Sequence, residues 1–220
     1  MLADGAPAAL EAFVRQRTAP APVPLVPEIA LWQATEVTAL WHATAAHLEG
    51  WDDSPFWAFP WAGGQALARF LLDRPDAARG RTVLDFASGS GLVAVAAARA
   101  GASRVVAADV DPFCAAVLPL NAALNGVGLE VRIGSPLGEA LPGFGLVLAG
   151  DVFYERDLAA RGMAWFRDLA RQGVRVLAGD PGRIYSPAGG AREIAAYDVP
   201  VSEAIEGRPI LRARVLEILP

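Results

Sequence analysis

Two short stretches of the sequence combine residues that could bind a nucleoside-like ligand. The run TVLDFASGSGLVA places Asp85 at the end of an apolar segment, and Gly89 and Gly91 follow closely. Glycines let the backbone turn sharply and approach a ligand, and the helix that follows presents free N–H groups. Asp109 ends the next apolar run eighteen residues after Gly91, about where an acid that binds ribose hydroxyls is expected. Together they predict a nucleoside site.

The glycine turn alone leaves two classes of ligand open. The stretch GSGLVA also satisfies the dinucleotide-binding pattern G-x-G-x-x-A, which would indicate a nicotinamide-dependent oxidoreductase. Asp85 favours a cationic ligand, because a carboxylate repels the phosphates of a dinucleotide, whereas S-adenosylmethionine carries an ammonium and a sulfonium. Taken singly, Asp85 and Asp109 could also merely cap the adjoining helices. In combination with the glycines, the ligand hypothesis is favoured.

A third stretch, LVLAGDVFYERD, ends an apolar run in Asp151, and Tyr154 follows three residues later. At the end of a buried strand such groups could contact a substrate. In the alternative interpretation Asp151 caps the helix that begins near Arg156, Phe153 lies in the core and Tyr154 lies on the surface.

The elements that must position these residues alternate regularly from Arg81 onward. The apolar runs TVLDFA, RVVAADV, LEVRI, GFGLVLAGD and VRVLAGD predict strands, with helices between most of them. Uninterrupted apolar strands separated by helices are typical of a parallel sheet covered on both faces. Ligands bind such a doubly wound, Rossmann-like α/β sheet at the carboxyl ends of its strands, where Asp85, Asp109 and Asp151 are expected.

Both ends of the chain depart from this alternation. The stretches AAYDVPV and LRARVLEIL predict a closing antiparallel hairpin with Gly207 near its turn. The N-terminal quarter predicts a short helix over residues 7–18, an extended proline-rich arm, a strand EIALWQAT and a helix TEVTALWHATAAHL. We therefore divide the chain into an N-terminal appendage, residues 1–60, and a core, residues 61–220.

Composition narrows the function classes. The 220 residues, 54% of them hydrophobic, suffice for one full core, and no apolar run approaches the roughly 20 residues that span a bilayer. The N-terminus lacks the charged opening of a secretory signal. The net charge of -5 disfavours a nucleic-acid partner. A single cysteine, Cys114, can form neither an internal disulfide nor a cysteine metal site, so we expect a cytoplasmic protein with no membrane association and no metal.

Five motifs carry a family resemblance. The stretches VLDFASGSG and VVAADVDP resemble the first two cofactor motifs of the class I S-adenosylmethionine-dependent methyltransferases. The stretches FWAFPWAGGQAL, AGDVFYERDLA and AGDPGR are similar to those of the lysine methyltransferases of family 16, closest to the branch that methylates the beta subunit of electron-transfer flavoprotein. The resemblance runs from about Pro27 to the C-terminus. It implies seven strands, the last antiparallel, and protein lysines as methyl acceptors.

The sequence departs from the family pattern in the glycine turn. Ala87 occupies the position of the first glycine of the common G-x-G-x-G turn. We expect Ala87 to keep a negative φ, since alanine is tolerated there only in that conformation.

The resemblance implies roles for the residues of the cofactor motifs. Asp85 would face the methionine ammonium of S-adenosylmethionine, and Gly89 and Gly91 would line its amino-acid end. Asp109 would hold both ribose hydroxyls. Ser135, which follows the third predicted strand, would contact the adenine amine.

The stretch WAGGQAL is expected to bring the start of a helix against the methionine end of the cofactor. Gly63 and Gly64 would permit this approach, and Trp61 or Gln65 would assist it. The preceding aromatic run, WDDSPFWAFPW, could line a lysine channel, although packing of the N-terminal appendage is the more common use of such residues.

The catalytic residues follow from the same resemblance. A lysine ammonium has no lone pair and a reference pKa of roughly 10.4, and burial in an apolar channel favours the neutral amine. Asp151 would orient the amine by accepting its hydrogens, and Tyr154 would add a hydrogen bond or an aromatic wall. Because a carboxylate also raises the pKa of a nearby amine, we expect Asp151 to aim the amine more than to deprotonate it. The stretch AGDPGR predicts a turn in which Asp180 and Arg183 pair.

The sequence therefore predicts a protein-lysine N-methyltransferase that uses S-adenosylmethionine and releases S-adenosylhomocysteine. The predicted substrate is the electron-transfer flavoprotein beta subunit or another cytosolic protein, such as a ribosomal component. Two alternatives stay open: a small-molecule amine or pyridine N-methyltransferase, and a nicotinamide-dependent oxidoreductase. A binding module without activity would leave GDVFY without a purpose.

Overall fold

The computed structural model describes residues 6–35, 40 and 54–220. The predicted helix TEVTALWHATAAHL, apart from Thr35 and Leu40, and the start of the aromatic run at Trp51 lie outside the described residues.

The N-terminal part of the chain forms a helix and a two-stranded sheet. Helix α1 (Ala6–Arg17) is followed by strands β1 (Thr18–Val23) and β2 (Val26–Ala34), which pair antiparallel. The predicted helix and the strand EIALWQAT are confirmed. The proline-rich stretch, expected as an extended arm, is extended as strand β1, in which Pro20 lies opposite Trp32. Within the described chain β1 pairs with β2 alone, and such an edge tolerates residues without an N–H.

A seven-stranded sheet forms the centre of the described chain and confirms the predicted α/β architecture. Its strands are β3 (Thr82–Phe86), β4 (Arg104–Asp109), β5 (Glu130–Ile133), β6 (Leu146–Gly150), β7 (Arg175–Asp180), β8 (Ala191–Pro200) and β9 (Ile210–Ile218). The strand order is β5-β4-β3-β6-β7-β9-β8. Strands β3 to β7 pair in parallel, so their carboxyl ends share one edge.

Helices cover both faces of this sheet. Helices α2 (Ala62–Asp73), α3 (Leu92–Arg99) and α4 (Cys114–Leu124) contribute to one apolar cluster, and α5 (Arg156–Arg171) contributes to a second. Successive strand residues alternate between them, since Val83 and Leu146 face the first cluster while Leu84 and Val147 face the second. Burial on both faces explains why these strands read as uninterrupted apolar runs.

The N-terminal segment shares the first cluster. Leu10 and Val14 of α1 and Ile29 and Leu31 of β2 are buried in it. The division of the chain at residue 60 is not tested by these contacts and stays a prediction.

The C-terminal hairpin is confirmed. Strand β9 pairs antiparallel with both β7 and β8, so the last strand of the sheet in sequence is antiparallel, as the family resemblance implies. The connection between β8 and β9 contains a short helix, α6 (Glu203–Glu206), which ends at Gly207 with a φ of 72°. No helix in the described ranges is both long enough and apolar enough to cross a bilayer.

Candidate active site

A cavity of about 350 Å³ opens at the carboxyl ends of β3, β4 and β6. This edge is where doubly wound sheets bind their ligands. The predicted site residues that line it are Trp61, Gly64, Asp85, Gly89, Asp109, Ser135, Asp151 and Tyr154. Three others, Gly63, Gln65 and Gly91, do not line it.

The turn between β3 and α3 needs glycine at two positions. Gly89 and Gly91 have φ values of 51° and 78°, in the left-handed region that favours glycine. A Cβ at Gly91 would also lie 2.7 Å from Cδ2 of Leu118. Gly91 therefore does not line the cavity but lets α3 begin close to α4.

The expectation that Ala87 keeps a negative φ is wrong. Its φ is 54°, so the turn adopts the conformation that a glycine would take at this position. Contact between Cβ and the backbone makes this conformation cost about 1–2 kcal/mol for a non-glycine residue. The turn therefore keeps its shape at the expense of local strain.

Asp85 is buried, with 1% of its surface exposed, and lines the cavity. Its Oδ2 accepts hydrogen bonds from Ser88 Oγ at 2.6 Å and from the backbone N–H of Ala94 at 3.0 Å. Ala94 lies in the first turn of α3, so Asp85 supports the helix start and lines the cavity at once. Burial raises the pKa of Asp85 to about 7, although these two hydrogen bonds act in the opposite direction.

Asp109 links the second strand end to the glycine turn. Its Oδ2 accepts from the Gly89 N–H at 2.7 Å and its Oδ1 from the Asp111 N–H at 2.9 Å. Burial raises its pKa above the ordinary value. Ser135 also lines the cavity, and its Oγ accepts from the Leu137 N–H at 3.3 Å. The ends of β3, β4 and β5 thus bring together Asp85, the glycine turn, Asp109 and Ser135.

Asp151 lies at the end of β6 with an unusual backbone conformation. Its φ is 57° and only 8% of its surface is exposed. Oδ2 accepts from the Gly64 N–H at 2.8 Å, and Oδ1 accepts from Arg183 Nη2 at 2.7 Å and Nε at 3.0 Å. Burial raises the pKa of Asp151 to about 6, and the positive charge of Arg183 limits the rise. Asp151 is therefore mainly ionised at neutral pH.

The alternative in which Asp151 caps the following helix is wrong. Helix α5 is capped by Glu155, whose carboxylate accepts from the N–H groups of Asp157 and Leu158, each at 2.8 Å. Phe153 is buried in the second cluster, as that alternative expected, and Tyr154 is 48% exposed. Asp151 therefore does not cap this helix, and it lines the cavity.

Aromatic side chains form one wall of the cavity near Asp151. Phe56 contacts both Tyr154 and Trp61, with ring centroids 5.5 Å and 5.6 Å apart. Trp61 Nε1 donates to the Phe56 carbonyl at 2.9 Å, which fixes the orientation of its indole. Trp57 is buried and stacks on Phe113 at 5.4 Å. The described part of the aromatic run therefore serves both packing and the cavity wall.

The start of α2 approaches the sheet through glycines. A Cβ at Gly63 would lie 2.3 Å from the Gly179 carbonyl oxygen, so Gly63 is required by packing on β7. Gly64 lines the cavity and donates its N–H to Asp151. The side chain of Gln65 points elsewhere: its Nε2 donates to the Pro60 carbonyl at 2.7 Å, and its Oε1 accepts from the Leu25 N–H at 3.1 Å.

Arg183 is the residue of this site that the sequence assigned differently. Its guanidinium was expected to pair with Asp180, but it bridges Asp151 and Glu206, at 2.7 Å and 2.8 Å, while Asp180 pairs with Arg214 at 2.9 Å. The pairing depends on β7 lying next to β6 in the sheet, which the alternation of strands and helices in the sequence does not reveal. No signal in the sequence marks Glu206 either, which lies in the hairpin connection.

The fold and the site define the class. A seven-stranded sheet whose last strand is antiparallel, with a glycine turn and strand-end acids on one cavity, is the architecture of the class I methyltransferases. The model of the ribosomal protein L11 methyltransferase (PrmA) family matches residues 66–144. The crystal structure of the ribosomal protein L11 methylase from Lactobacillus delbrueckii subsp. bulgaricus superposes with a TM-score of 0.50 at 19% identity, covering 72% of this chain and 79% of that one.

Curated sequences identify the family more narrowly. The chain is 43% identical over 162 residues to the electron transfer flavoprotein beta subunit lysine methyltransferase of Rattus norvegicus, covering 72% of this chain and 62% of that protein. With the Xenopus laevis protein of the same name, the identity is 40% over 174 residues, covering 78% of this chain and 70% of that protein. The chain belongs to the family of electron transfer flavoprotein beta subunit lysine methyltransferases. It spans 62% of the length of the rat relative.

Proposed function

We propose that this protein transfers a methyl group from S-adenosylmethionine to a lysine side chain of a protein, and that its substrate is the electron transfer flavoprotein beta subunit. One observation carries the proposal: a single cavity joins Asp85, Gly89 and Asp109 to Asp151 and Tyr154. The first group suits a cofactor and the second suits an amine. Membership of the family supports the choice of protein substrate.

The charges at the cofactor end of the cavity suit a cationic nucleoside. Asp85, Asp109 and Asp111 all line this end, and among the described residues that line the cavity Arg183 is the one cation. Three carboxylates would repel the pyrophosphate of a dinucleotide, whereas they attract an ammonium and a sulfonium. This distribution of charge favours S-adenosylmethionine over a nicotinamide cofactor.

The residues of this end have separate tasks. Both hydrogen bonds to Asp85 go to Oδ2, so Oδ1 is available to the methionine ammonium. Asp109 would accept hydrogen bonds from the ribose hydroxyls, beside the contacts that it already makes with the backbone N–H groups of Gly89 and Asp111. Gly89 lets the amino-acid end approach the backbone, and Ser135 contacts the adenine. When bound, S-adenosylmethionine supplies a methyl group on a positively charged sulfur that is open to in-line displacement.

The other end of the cavity holds the lysine. Phe56, Trp61 and Tyr154 supply apolar walls, and their exclusion of water favours the neutral amine over the ammonium. The ammonium releases its proton to solvent before the transfer. Asp151 then accepts a hydrogen of the amine and directs the nitrogen lone pair at the methyl carbon, so that catalysis is mainly orientation.

Purified electron transfer flavoprotein beta subunit, incubated with the protein and radiolabelled S-adenosylmethionine, tests this proposal. We expect label on lysine, located by mass spectrometry of tryptic peptides. In D151N the rate falls at least about a hundredfold, since misdirection of a nucleophile costs this much. Binding of S-adenosylmethionine is unchanged in D151N, because Asp151 acts on the amine and asparagine tolerates a positive φ.

A charge-matched control is available on the same segment. Asp157 is exposed at the start of α5, so D157N removes one carboxylate without touching the cavity and keeps the wild-type rate. The same incubation with a whole-cell extract detects other acceptors. Label confined to small metabolites contradicts a protein substrate, and protection of the fold by NAD rather than by S-adenosylmethionine contradicts methyl transfer.

A further inference from the structure

Arg183 connects two carboxylates that come from distant parts of the chain. Its Nε and Nη2 donate to Oδ1 of Asp151, and its Nη1 and Nη2 donate to the two carboxylate oxygens of Glu206, both at 2.8 Å. Four donor contacts on one guanidinium fix its plane, since the fork of arginine matches carboxylate geometry. Its side chain is 21% exposed, and those of Asp151 and Glu206 are 10% and 8% exposed.

The loop that carries Arg183 is held from beneath. Asp180 is fully buried and accepts from the N–H groups of Gly182 and Arg183, at 3.0 Å and 3.1 Å. It also accepts from Ser186 Oγ at 2.6 Å and from Arg214 Nη2 at 2.9 Å. The hydrogen bonds of buried Asp180 therefore fix the loop and, with it, the backbone position of Arg183.

Trp61 adds a third constraint on the guanidinium. The Cζ atom of Arg183 lies 5.6 Å from the centroid of the Trp61 ring, within cation–π range. Trp61 also lines the cavity. Arg183 thus sits between the aromatic wall and the acid that faces the amine.

The net charge of this cluster determines which form of lysine it favours. Asp151 alone would stabilise the ammonium, which cannot attack a methyl carbon. Arg183 offsets that charge at 2.7 Å, and Glu206 partly restores it from the far side. Of the described residues that line the cavity with Asp151, the other charged or titratable ones are Tyr154, which follows β6, and Asp85, Asp109, Asp111 and Cys114, which lie towards β3 and β4. The ion pair of Asp180 with Arg214 belongs to the loop that carries Arg183.

We propose that Arg183 is a positioning residue for methyl transfer: anchored by Glu206 and in cation–π contact with Trp61, it fixes the Asp151 carboxylate and offsets its charge, so that Asp151 orients the lysine amine without retaining its proton. This inference rests on the function proposed above. The transfer forms a bond from nitrogen to the methyl carbon and breaks the bond from that carbon to sulfur. The product is a methylammonium and a neutral thioether. Arg183 acts before this step, by disfavouring the ammonium form of the substrate.

The pH dependence of kcat, which reports the pKa values of groups in the enzyme–substrate complex, distinguishes this role from a purely structural one. We expect R183Q to move the midpoint of the alkaline rise upward by about 1 pH unit, because the negative charges of Asp151, which faces the amine, and of Glu206 behind it are then uncompensated. E206Q moves the midpoint downward, by about half a unit, since the arginine charge is then less neutralised. The opposite signs are the diagnostic result, because general loosening of the site would lower the rate at every pH and leave the midpoint in place.

Three controls separate charge from structure. The double variant R183Q/E206Q has the same net charge in the cluster as the wild type, so its midpoint lies near the wild-type value even though its rate is lower. R208Q and E203Q remove one charge of each sign from exposed positions in the same hairpin connection and keep the wild-type profile. Calorimetric titration with S-adenosylmethionine is expected to give the wild-type Kd for every variant.

The possible outcomes distinguish failure of the role of Arg183 from failure of the proposed function. Equal midpoints in wild type, R183Q and E206Q overturn the role of Arg183 while lysine methylation by the wild type stands. Absence of lysine methylation in the wild type overturns the proposed function instead. If R183Q does not fold, as judged by circular dichroism, E206Q and the double variant still decide the question, since a midpoint of E206Q at or above the wild-type value contradicts the inference.

Discussion

Burial disfavours the ionised form of Asp85, whereas binding of a cationic ligand requires it. The carboxyl is almost completely buried, and burial raises its pKa to about 7, well above the value of about 3.8 expected in the unfolded chain. Between these two values the folded state binds more protons than the unfolded state, so the free energy of unfolding decreases as the pH rises through this window. A buried acid that weakens the fold at neutral pH is a frequent mark of a functional site.

We therefore expect D85N to stabilise the fold and to weaken cofactor binding. At pH 8 its Tm should exceed that of the wild type by several degrees, since 1 kcal/mol corresponds to roughly 2–4 °C in a chain of this size. Near pH 4 the difference should vanish, because both forms are then neutral. The Kd for S-adenosylmethionine should rise about tenfold or more, as expected for loss of a charge-assisted hydrogen bond.

Thermal unfolding and calorimetric titration at both pH values check this prediction. D76N is the matched control, because the side chain of Asp76 is 93% exposed and its loss should alter neither quantity. A D85N protein that melts below the wild type at pH 8 would show that Asp85 serves mainly as a structural acceptor for Ser88 and Ala94.

Ala87 has a strained backbone conformation, and substitution by glycine would remove this strain. Its positive φ strains the backbone, so A87G should raise the free energy of unfolding by about 0.5–1 kcal/mol after the greater freedom of glycine in the unfolded chain is counted. The control A98G lies within helix α3 and should lower it by about 1 kcal/mol. Urea unfolding measures both changes. Two substitutions that destabilise equally would mean that the turn relaxes around Ala87.

At the scale of elements, Gly63 and Gly64 contribute differently to the packing of α2 on the sheet. In G63A the new Cβ would lie 2.3 Å from the Gly179 carbonyl oxygen and 2.6 Å from Oδ2 of Asp151, and a backbone atom cannot move aside cheaply. We expect a loss of about 1–3 kcal/mol, as for other overpacked sites, and a lower rate of methyl transfer.

G64A is the matched control for this prediction. Its Cβ would meet only Cγ2 of Val93, at 3.8 Å, which is an ordinary contact. Because alanine also favours a helix, the Tm of G64A should equal or exceed that of the wild type. Chemical unfolding of both variants is the measurement, and an equal loss in the two would contradict the packing argument.

The elements and most of the site follow from the sequence for identifiable reasons. Strands buried on both faces produce uninterrupted apolar runs, so β3, β4, β6 and β7 are visible as such, and strand-end acids fall on one edge by topology alone. Arg183 was assigned to Asp180 because alternation does not reveal that β6 and β7 are neighbours. Glu206 lies in a connection whose path only the structure provides. The φ of Ala87 was predicted wrongly because the residue type was given more weight than the glycine position that it occupies in the turn.

At the scale of the whole molecule, the cofactor should stabilise the fold in a pH-dependent way. A ligand at a hundred times its Kd adds about 2.7 kcal/mol to the free energy of unfolding, which corresponds to a rise in Tm of roughly 5–10 °C here. The same concentration of NAD should give no rise, because acids line the nucleoside end of the cavity and repel a pyrophosphate.

The size of this rise should depend on the ionisation of Asp85. With its pKa at about 7, the carboxyl is mostly protonated at pH 5.5, where a cation gains little from it, and mostly ionised at pH 7.5. Calorimetric titration should therefore give a Kd for S-adenosylmethionine several-fold to tenfold weaker at pH 5.5, accompanied by release of a proton on binding. In D85N the Kd should be weak and nearly equal at the two pH values. A wild-type Kd that does not change with pH would mean that the ammonium is bound by a group other than Asp85.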